Sequence, residues 1–219
     1  MANQGQAKVL DRSELEELWA ELKQPHKIIT QLCYYTGSRV GEIVSLTAEK
    51  IQGDRIVIHQ SKVGKSKTVD IAPQLRAALD AVELPSSGYL FPAAKWAKAN
   101  RKVYKIDRSV VSPAPRLNTR TGLMTTPKNQ FDVVKELPPS PHLSTAAVSL
   151  AVSVASDMLG WTGVSSHSMR RSLATHLYDG GIPLRTIMAV TGHQSLGSLT
   201  IYIALEQRAA GDALRQFFG

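Results

Sequence analysis

The sequence predicts a mainly α-helical domain with a small antiparallel β-sheet, an α+β fold. Three observations support this prediction: apolar residues recur at helical spacing along most of the chain, glycines separate these stretches, and one short region changes to period two. With 219 residues, of which 43% are hydrophobic, the chain is long enough to bury a substantial core in one domain.

The first part of the chain contains the predicted sheet. "DRSELEELWAEL" predicts a helix with a capping box at Ser13 and Glu16, and "HKIITQLCYYTG" predicts a second helix that ends at Gly37. Helical spacing resumes in "RVGEIVSLTAEKI". Two β-branched runs, "RIVIHQ" and "KTVDIA", flank the turn "SKVGKS" and predict a β-hairpin, which is followed by a helix that begins at Pro73.

The last part of the chain is predicted to be helical. Several stretches show helical spacing, and Gly160, Gly180, Gly181 and Gly192 lie where these helices should end. The stretches are "LSTAAVSLAVSVASDMLG", "HSMRRSLATHLYDGG", "PLRTIMAVTGH", "LGSLTIYIAL" and "EQRAAGDALRQFF".

A basic segment separates these two parts. Residues 94–142 hold ten Lys or Arg against three Asp or Glu, a balance of +7 within a chain whose net charge is +8. Its prolines exclude a continuous helix across most of the segment. We predict a short basic helix at about Lys95–Lys105, followed by a long loop.

Composition narrows the class of partner and the compartment. The net charge of +8 and the pI near 9.7 favour an anionic partner, and nucleic acid is the class of partner that they favour most. The single cysteine, Cys33, excludes an internal disulfide and lies in an apolar run, where we expect it to be buried. The N-terminus lacks a signal-peptide pattern and no apolar run reaches 18 residues, so we expect a cytoplasmic protein without a membrane partner.

His167, Arg170, His193 and Tyr202 follow one another in this order between residues 167 and 202. Cleaving a phosphodiester without a metal requires cationic donors for the non-bridging oxygens, an in-line nucleophile and an acid for the leaving oxygen. The chain lacks the clustered carboxylates of a two-metal nuclease, and His167, His176 and His193 have no Cys or Glu at zinc-ligand spacing. We therefore expect neither a metal nor another cofactor.

Four motifs and one hairpin turn closely resemble those of tyrosine recombinases, the phage integrase family. The motifs are "TGSRVGE", "HSMR", "TGH" and "TIYI", and the turn "QSKVGK" resembles the family's β-hairpin lysine element. The intervals of 23 residues from Arg170 to His193 and of nine from His193 to Tyr202 match the family pattern. By this resemblance the catalytic residues are Arg39, Lys62, His167, Arg170, His193 and Tyr202.

The resemblance implies a reaction through a covalent intermediate. Tyr202 would attack the scissile phosphate, which leaves a 3′-phosphotyrosine and a free 5′-hydroxyl that can be religated without ATP. His167 would carry the proton transfer from the phenol, and Lys62 would protonate the leaving oxygen. The remaining three residues would bind the phosphate oxygens: Arg39, Arg170 and His193.

Several assignments have alternatives. Arg39 can be a helix-surface charge, His167 can cap its own helix, and Tyr202 can be a core aromatic residue. Glu42 is expected to pair with a nearby arginine, and His176 is expected to be a packing or hydrogen-bonding residue.

Basic neighbours of the motifs are candidate DNA contacts. Lys65 and Lys67 share the hairpin turn with Lys62, so the turn can present any of the three as the general acid. Arg171 points about 100° away from Arg170 around a helix, so it cannot line the same pocket. We expect Arg171 to contact the DNA backbone or a carboxylate.

The resemblance covers about residues 10–93 and 143–219, which we interpret as the core of a single catalytic domain, 1–219, with 94–142 as an insertion. The N-terminal helical domain usual in relatives has no counterpart, so we interpret the chain as a catalytic fragment or a minimal member. The insertion is either a solvated loop or a DNA-contacting arm. The candidate contacts of such an arm are Lys95, Lys98, Arg101, Lys102 and Lys105.

The expected partner is double-stranded DNA. In the family, a C-terminal helix such as "EQRAAGDALRQFFG" often docks onto a neighbouring protomer, which implies a homo-oligomer, a tetramer, on DNA; a helix that folds back would leave a monomer. The predicted function is that of a site-specific DNA recombinase or integrase from a mobile element, in a bacterial, archaeal or phage context at the nucleoid. The alternatives are a type IB topoisomerase and a non-catalytic DNA-binding protein with a degenerate site.

Overall fold

The computed structural model describes residues 7–60, 64–93, 101–105, 116–117, 124–125, 132–137 and 141–203. The chain divides into two compact units, one formed by Met1–Pro92 with His142–Gly219 and the other by Ala93–Pro141. The larger unit is mainly helical and contains a small antiparallel sheet, which confirms the predicted fold class.

Helices form most of the larger unit. Their bounds are α1 Arg12–Glu21, α2 His26–Thr36, α3 Val40–Val44, α4 Pro73–Asp80, α5 Thr145–Met158, α6 Ser166–Asp179, α7 Leu184–Thr191 and α8 Leu196–Tyr202, with a 3₁₀ turn at Ala48–Lys50. As predicted, α2 ends at Gly37, whose φ of 60° lies in the left-handed region that favours glycine. As also predicted, α4 begins at Pro73.

The sheet of the larger unit has three antiparallel strands in chain order. The strands are β1 Ile51–Gln52, β2 Arg55–Gln60 and β3 Lys65–Asp70. The predicted hairpin is therefore confirmed, with Gln60 opposite Lys65 at the end next to the turn. Along β3, Lys67 and Val69 are less exposed than their neighbours, so this alternating pair faces the interior.

One hydrophobic core joins the helices to the sheet. Trp19 of α1 stacks on Tyr35 and meets Tyr34 edge-on, with ring centroids 5.9 and 5.7 Å apart. Cys33 is buried as predicted, and burial raises the pKa of its thiol. In the described part of the chain, no helix combines the length and apolar character that a membrane span requires.

A second, smaller cluster holds α8 in place. Leu199 and Ile203 are fully buried against Ala174 of α6 and Ile187 of α7. Because these two residues lie four apart on one helical face, the backbone of α8 is anchored close to Tyr202, the last residue of the helix.

The segment before α1 is bonded to α6. The backbone N–H of Leu10 donates to Ser172 Oγ at 2.8 Å, and the Arg171 guanidinium donates to the carbonyl of Ala7. These bonds tie the N-terminal segment to two consecutive residues of α6.

The capping box of α1 was predicted at the wrong residues. Asp11, rather than Ser13, caps the helix: its carboxylate accepts from the backbone N–H of Glu14 at 2.9 Å, and Glu14 accepts from the N–H of Asp11 at 3.0 Å. Ser13 instead donates its hydroxyl proton to Asp11 at 2.8 Å. Aspartate is as good an N-cap residue as serine, so the earlier of two adjacent candidates begins the helix.

The basic helix predicted at Lys95–Lys105 is wrong in its described part. Arg101–Lys105 forms strand β4, which pairs antiparallel with β7, Asp132–Leu137, while the short strands β5, Arg116–Leu117, and β6, Met124–Thr125, pair with each other. Pairing with a distant strand overrides local helical preference, and the sequence "RKVYK" contains a β-branched and an aromatic residue. Residues 95–100 and the final helix predicted in "EQRAAGDALRQFF" lie outside the described residues.

Gly192, at the end of α7, contacts the end of the hairpin next to the turn. Its φ is 71°, and a Cβ at this position would lie 1.9 Å from Nε2 of Gln60. Gln60, the last residue of β2, is only 6% exposed, so its side chain has little room to move. Gly192 is therefore required both by its backbone conformation and by this close contact.

We expect Gly192→Ala to lower the free energy of unfolding by about 2–4 kcal/mol, because left-handed strain of about 1–2 kcal/mol adds to the clash with Gln60. Gly160→Ala is the matched control: Gly160 has the same φ of 71° but no atom within 4 Å of its Cβ position, so only the strain applies. Urea unfolding of both variants measures the difference. Equal losses would show that the contact with Gln60 carries no cost.

Candidate active site

Arg39 lies between α2 and α3 and is the N-cap residue of α3. Its backbone N–H and its guanidinium both donate to the carboxylate of Glu42, at 3.0 and 3.1 Å. Glu42 is buried, whereas the Arg39 side chain keeps 30% of its surface exposed. The expected pairing of Glu42 with an arginine is confirmed, and it orients a guanidinium that still reaches solvent.

Arg170 of α6 is one of the largest fully buried side chains, with 1% exposure. Its Nη1 donates to the carbonyl oxygen of Gly37 at 2.8 Å. Because an arginine does not lose its proton in a protein, this group remains a buried cation. The C-terminal end of α2 stabilises it, since the last carbonyls of a helix lack intrahelical partners and carry partial negative charge.

The ends of α2 and α7 meet beneath this guanidinium. A Cβ on Gly37 would lie 3.4 Å from Cα of Thr191, so the two helix ends are in contact. Lys67 of β3 bridges them, because its Nζ donates to the carbonyls of Thr36 and Val190 at 2.7 and 2.8 Å. Burial and the neighbouring arginines lower the pKa of Lys67 to about 8.

The ring of His193 is oriented by Thr191. His193 Nδ1 lies 2.7 Å from Thr191 Oγ1, whose hydroxyl donates to the carbonyl of Ile187 at 2.6 Å. Because a hydroxyl has one proton, Thr191 accepts a hydrogen bond from Nδ1–H. Burial, together with Arg170 and Arg39, lowers the pKa of His193 to about 4, so the ring is neutral at pH 7.

His167 lies in the first turn of α6. Its backbone N–H donates to Oγ of Ser165, the N-cap residue, at 3.3 Å. Burial lowers the pKa of the imidazole, and Arg170 and Arg39 lower it further. At neutral pH the ring is therefore uncharged and able to accept a proton.

These groups form a cationic cluster. Three positive charges act on one another here, those of Arg39, Arg170 and Lys67. The carboxylate of Glu42 opposes them at Lys67, so these four side chains together have a net charge of +2. Water screens charges weakly in such a partly buried place. The ligand best suited to this cluster is an anion with several oxygens, such as a phosphodiester.

The structure brings together four of the six residues that the sequence singled out as catalytic: Arg39, His167, Arg170 and His193. Lys62 lies outside the described residues. Tyr202 ends α8, nine residues after His193, and its side chain also lies outside the described part.

The candidate DNA contacts differ in their surroundings. Lys65 is exposed on β3. The geometry of Lys67 does not fit a surface contact with phosphate, because its ammonium is directed at two carbonyls. Arg171 binds the carbonyl of Ala7. In the smaller unit, three candidates lie on strand β4: Arg101, Lys102 and Lys105. Lys95 and Lys98 lie outside the described residues.

Other predictions concern structural residues and metals. The expected hydrogen-bonding role of His176 is confirmed, because its Nδ1 lies 2.8 Å from the Tyr34 hydroxyl. Among the residues that the structure describes, no three His, Cys, Asp or Glu side chains are grouped so as to hold a metal ion.

Sequence reasoning missed the roles of Lys67 and Thr191. A signal existed for Lys67: it alternates with Val69 and Ile71, and a strand that turns these two apolar residues inward must also turn Lys67 inward. Thr191 lies in the "TGH" motif, but the motif alone does not indicate that the threonine hydroxyl orients the histidine ring.

Comparisons with known proteins agree on one family. The model of the phage integrase family matches residues 8–208. The tyrosine recombinase XerD of Mycobacterium leprae is 28% identical over 186 residues, which cover 84% of this chain and 49% of the relative. The tyrosine recombinase XerC of Myxococcus xanthus is 29% identical over 198 residues, covering 86% of this chain and 56% of the relative.

Solved structures share the fold. The XerA recombinase aligns with a TM-score of 0.61 at 17% identity, covering 99% of this chain and 66% of that one. The catalytic domain of bacteriophage HP1 integrase aligns with a TM-score of 0.57 at 18% identity, covering 96% of this chain and 95% of that one. The chain spans about half the length of XerD from M. leprae.

The lowered pKa of His193 predicts a pH-dependent stability. The folded-state pKa of about 4 lies below the ordinary histidine pKa of 6.5, so the unfolded chain binds the proton more tightly. The resulting contribution to the free energy of unfolding is fully present above pH 6.5 and is lost as the pH falls through 4. We expect the stability of the wild type relative to His193→Gln to rise between pH 4 and 6.5, as measured by urea unfolding.

The control for this measurement is His59→Gln, since His59 is exposed on β2. Its stability difference from the wild type should stay nearly flat over the same range. If the stability difference between the wild type and His193→Gln also did not change with pH, the electrostatic account of the site would be contradicted.

Proposed function

The chain belongs to the phage integrase family, and from this membership we propose that it is a site-specific DNA recombinase that cuts and rejoins strands through a tyrosine. The reaction needs neither a metal nor ATP. One observation carries the proposal beyond family membership: four motif residues from distant parts of the chain act on one another in a single cationic cluster, which suits one phosphate.

Tyr202 is the proposed nucleophile. A tyrosine with a pKa near 10 is ionised in only about one molecule in a thousand at pH 7, so presenting the phenolate costs about 4 kcal/mol unless a base takes the proton. His167 accepts this proton as the phenolic oxygen bonds to phosphorus, and its lowered pKa keeps it neutral beforehand. Lys62 protonates the 5′ oxygen as its bond to phosphorus breaks, which leaves a 3′-phosphotyrosine.

The cations stabilise the charge that develops on the phosphate. Arg39 and Arg170 donate to its non-bridging oxygens, and donors of this kind are each worth roughly 3–4 kcal/mol in a transition state. Thr191 holds His193 through Nδ1, and Nε2 is the ring nitrogen proposed to face the phosphate. A bound phosphate offsets the cations that lower the pKa of His193, so the ring can take a second proton and donate.

Double-stranded DNA is the proposed substrate, and the insertion is proposed to contact it. Paired strands β4 and β7 make a two-stranded antiparallel ribbon, and such a ribbon fits the major groove of B-DNA. Lys65 is the proposed contact from the larger unit because its side chain is exposed, whereas Arg171 binds the carbonyl of Ala7. The proposed contacts from the insertion are Lys95, Lys98, Arg101, Lys102 and Lys105.

On DNA the protein is proposed to act as a tetramer in the cytoplasm, at the nucleoid. The segment "EQRAAGDALRQFFG" follows α8 and carries paired phenylalanines, and we propose that it docks onto a neighbouring protomer. Relatives of the chain are bacterial recombinases, which supports this setting.

The proposed chemistry predicts a covalent protein–DNA adduct. On a duplex nicked next to the cleavage point, the short fragment that carries the free 5′-hydroxyl diffuses away and the adduct accumulates. We expect the wild type to form it without Mg²⁺, Tyr202→Phe to abolish it, and Arg170→Ala to lower its rate at least 10²-fold, because one oxyanion donor is worth that much. Denaturing gel electrophoresis measures the rates.

Different outcomes separate the alternatives. No adduct with any duplex would favour a non-catalytic DNA-binding protein. An adduct accompanied by relaxation of supercoiled plasmid without pairing of sites would favour a type IB topoisomerase. An adduct that persists in Tyr202→Phe would reject Tyr202 as the nucleophile.

Removing the insertion should weaken DNA binding. The backbone N–H of Ala93 donates to the carbonyl of Pro141 at 3.2 Å, so the ends of the insertion adjoin and a Gly-Gly link can replace residues 95–140. We expect lower affinity and a flatter dependence of log Kd on log salt, by about 0.9 for each lost phosphate contact, with an unchanged melting temperature of the larger unit. Fluorescence anisotropy at several salt concentrations measures this.

The control keeps the insertion at full length and replaces its five candidate cations with glutamine. It should reproduce most of the change in slope. Equal slopes for the wild type, the deletion and the glutamine variant would dismiss the insertion as a DNA-contacting arm.

A further inference from the structure

Lys67 is a half-buried cation that the proposed reaction does not use. Its ammonium is enclosed beside two positively charged side chains, Arg170 and Arg39, with Glu42 as the opposing charge. Taking such a group out of water is costly, and its lowered pKa of about 8 reflects that cost. A methionine would fill the same space with no charge to bury. The contacts of the ammonium indicate what offsets the cost.

Both hydrogen bonds of the Lys67 ammonium go to helix ends. One carbonyl belongs to Thr36, the last residue of α2, and the other to Val190, in the last turn of α7. These carbonyls are among those that a helix leaves without an intrahelical partner, and the helix dipole makes them attractive to a cation. The ammonium thereby joins two helices that are far apart in sequence.

The two carbonyls occupy equivalent places relative to the site. Thr36 lies three residues before Arg39, and Val190 lies three residues before His193. A glycine with positive φ follows each helix, Gly37 at 60° and Gly192 at 71°. Each short turn therefore leads directly from an atom bound by Lys67 to a side chain proposed to bind the phosphate.

We propose that Lys67 is a positioning residue for strand cleavage, whose ammonium sets the distance between Arg39 and His193 by holding the two turns that carry them. This role rests on the proposed function, because it concerns the two donors to the scissile phosphate. Displacement of a catalytic group by about 1 Å can cost about 10²-fold in rate. The effect of losing Lys67 should therefore fall on the rate with bound DNA and leave DNA affinity unchanged.

The test compares Lys67→Met, Lys67→Arg and a control, Lys50→Met, in the full chain. Lys50 is exposed on the 3₁₀ turn before β1. The readouts are the single-turnover rate of adduct formation on a nicked duplex at saturating protein, the Kd for that duplex, and the melting temperature. We expect Lys67→Met to lose about 10²-fold in rate with Kd changed less than threefold, Lys67→Arg to keep at least a tenth of the rate, and Lys50→Met to match the wild type.

A duplex with sulfur in place of the bridging 5′ oxygen separates positioning from acid catalysis. A thiolate leaves without protonation, so a variant that lacks only the general acid regains its rate on this substrate. Lys67→Met should stay slow there. Recovery of the wild-type rate on the sulfur substrate would make Lys67 the general acid and overturn the positioning role.

The remaining outcomes are also decisive. A wild-type rate in folded Lys67→Met, or a weakened Kd with an unchanged rate at saturation, would overturn the proposal for Lys67 alone. If Lys67→Met does not fold, Lys67→Gln takes its place: its shorter amide cannot span both carbonyls, so a loss of at least tenfold is expected and a wild-type rate overturns the role. No adduct from the wild type would overturn the proposed function, and this role with it.

Discussion

The architecture of the site depends on holding two cations, the buried Arg170 and the half-buried Lys67, where two helices end together. Arg170 binds the carbonyl of Gly37, and Lys67 binds carbonyls from both helix ends. Each helix end supplies oxygens without intrahelical partners and a partial negative charge, so together they add to the stabilisation that the Glu42 carboxylate provides. Because main-chain oxygens offset only part of the positive charge, the cluster keeps a surplus that an incoming phosphate can neutralise.

Burial, together with that surplus, determines the protonation of the neighbouring histidines. Burial and the cations lower the pKa of both His167 and His193, so both rings are neutral at pH 7 before any anion arrives. In the proposed reaction His167 accepts the proton of Tyr202, whereas His193 takes up a second proton when the phosphate binds and then donates a hydrogen bond to it. The same cationic surroundings thus support two different proton roles, and the difference between the two rings lies in the ligand that each one meets.

Sequence patterns predicted the elements and residues whose signals are local. Gly37 ends α2 as expected because a left-handed turn needs glycine. The motif residues of the site could be predicted because their chemistry and order are distinctive, and the structure brings four of them together. What sequence reasoning missed depends on partners distant in the chain: the strand pairing of Arg101–Lys105, and the contact of Lys67 with two helix ends. A propensity estimated over a short window contains no information about such partners.

The reliance on backbone oxygens has a consequence for how the protein tolerates mutation. No codon change deletes the carbonyl of Thr36 or Val190, so substitution of either side chain leaves the ligands of the Lys67 ammonium in place. Sensitivity moves instead to the positions that aim those carbonyls, above all Gly37 and Gly192, where an added methyl group meets Leu173 or Gln60. When the main chain binds a cation, we expect substitutions to be tolerated at the residues that supply the carbonyls. We expect substitutions to be harmful at the glycines beside them.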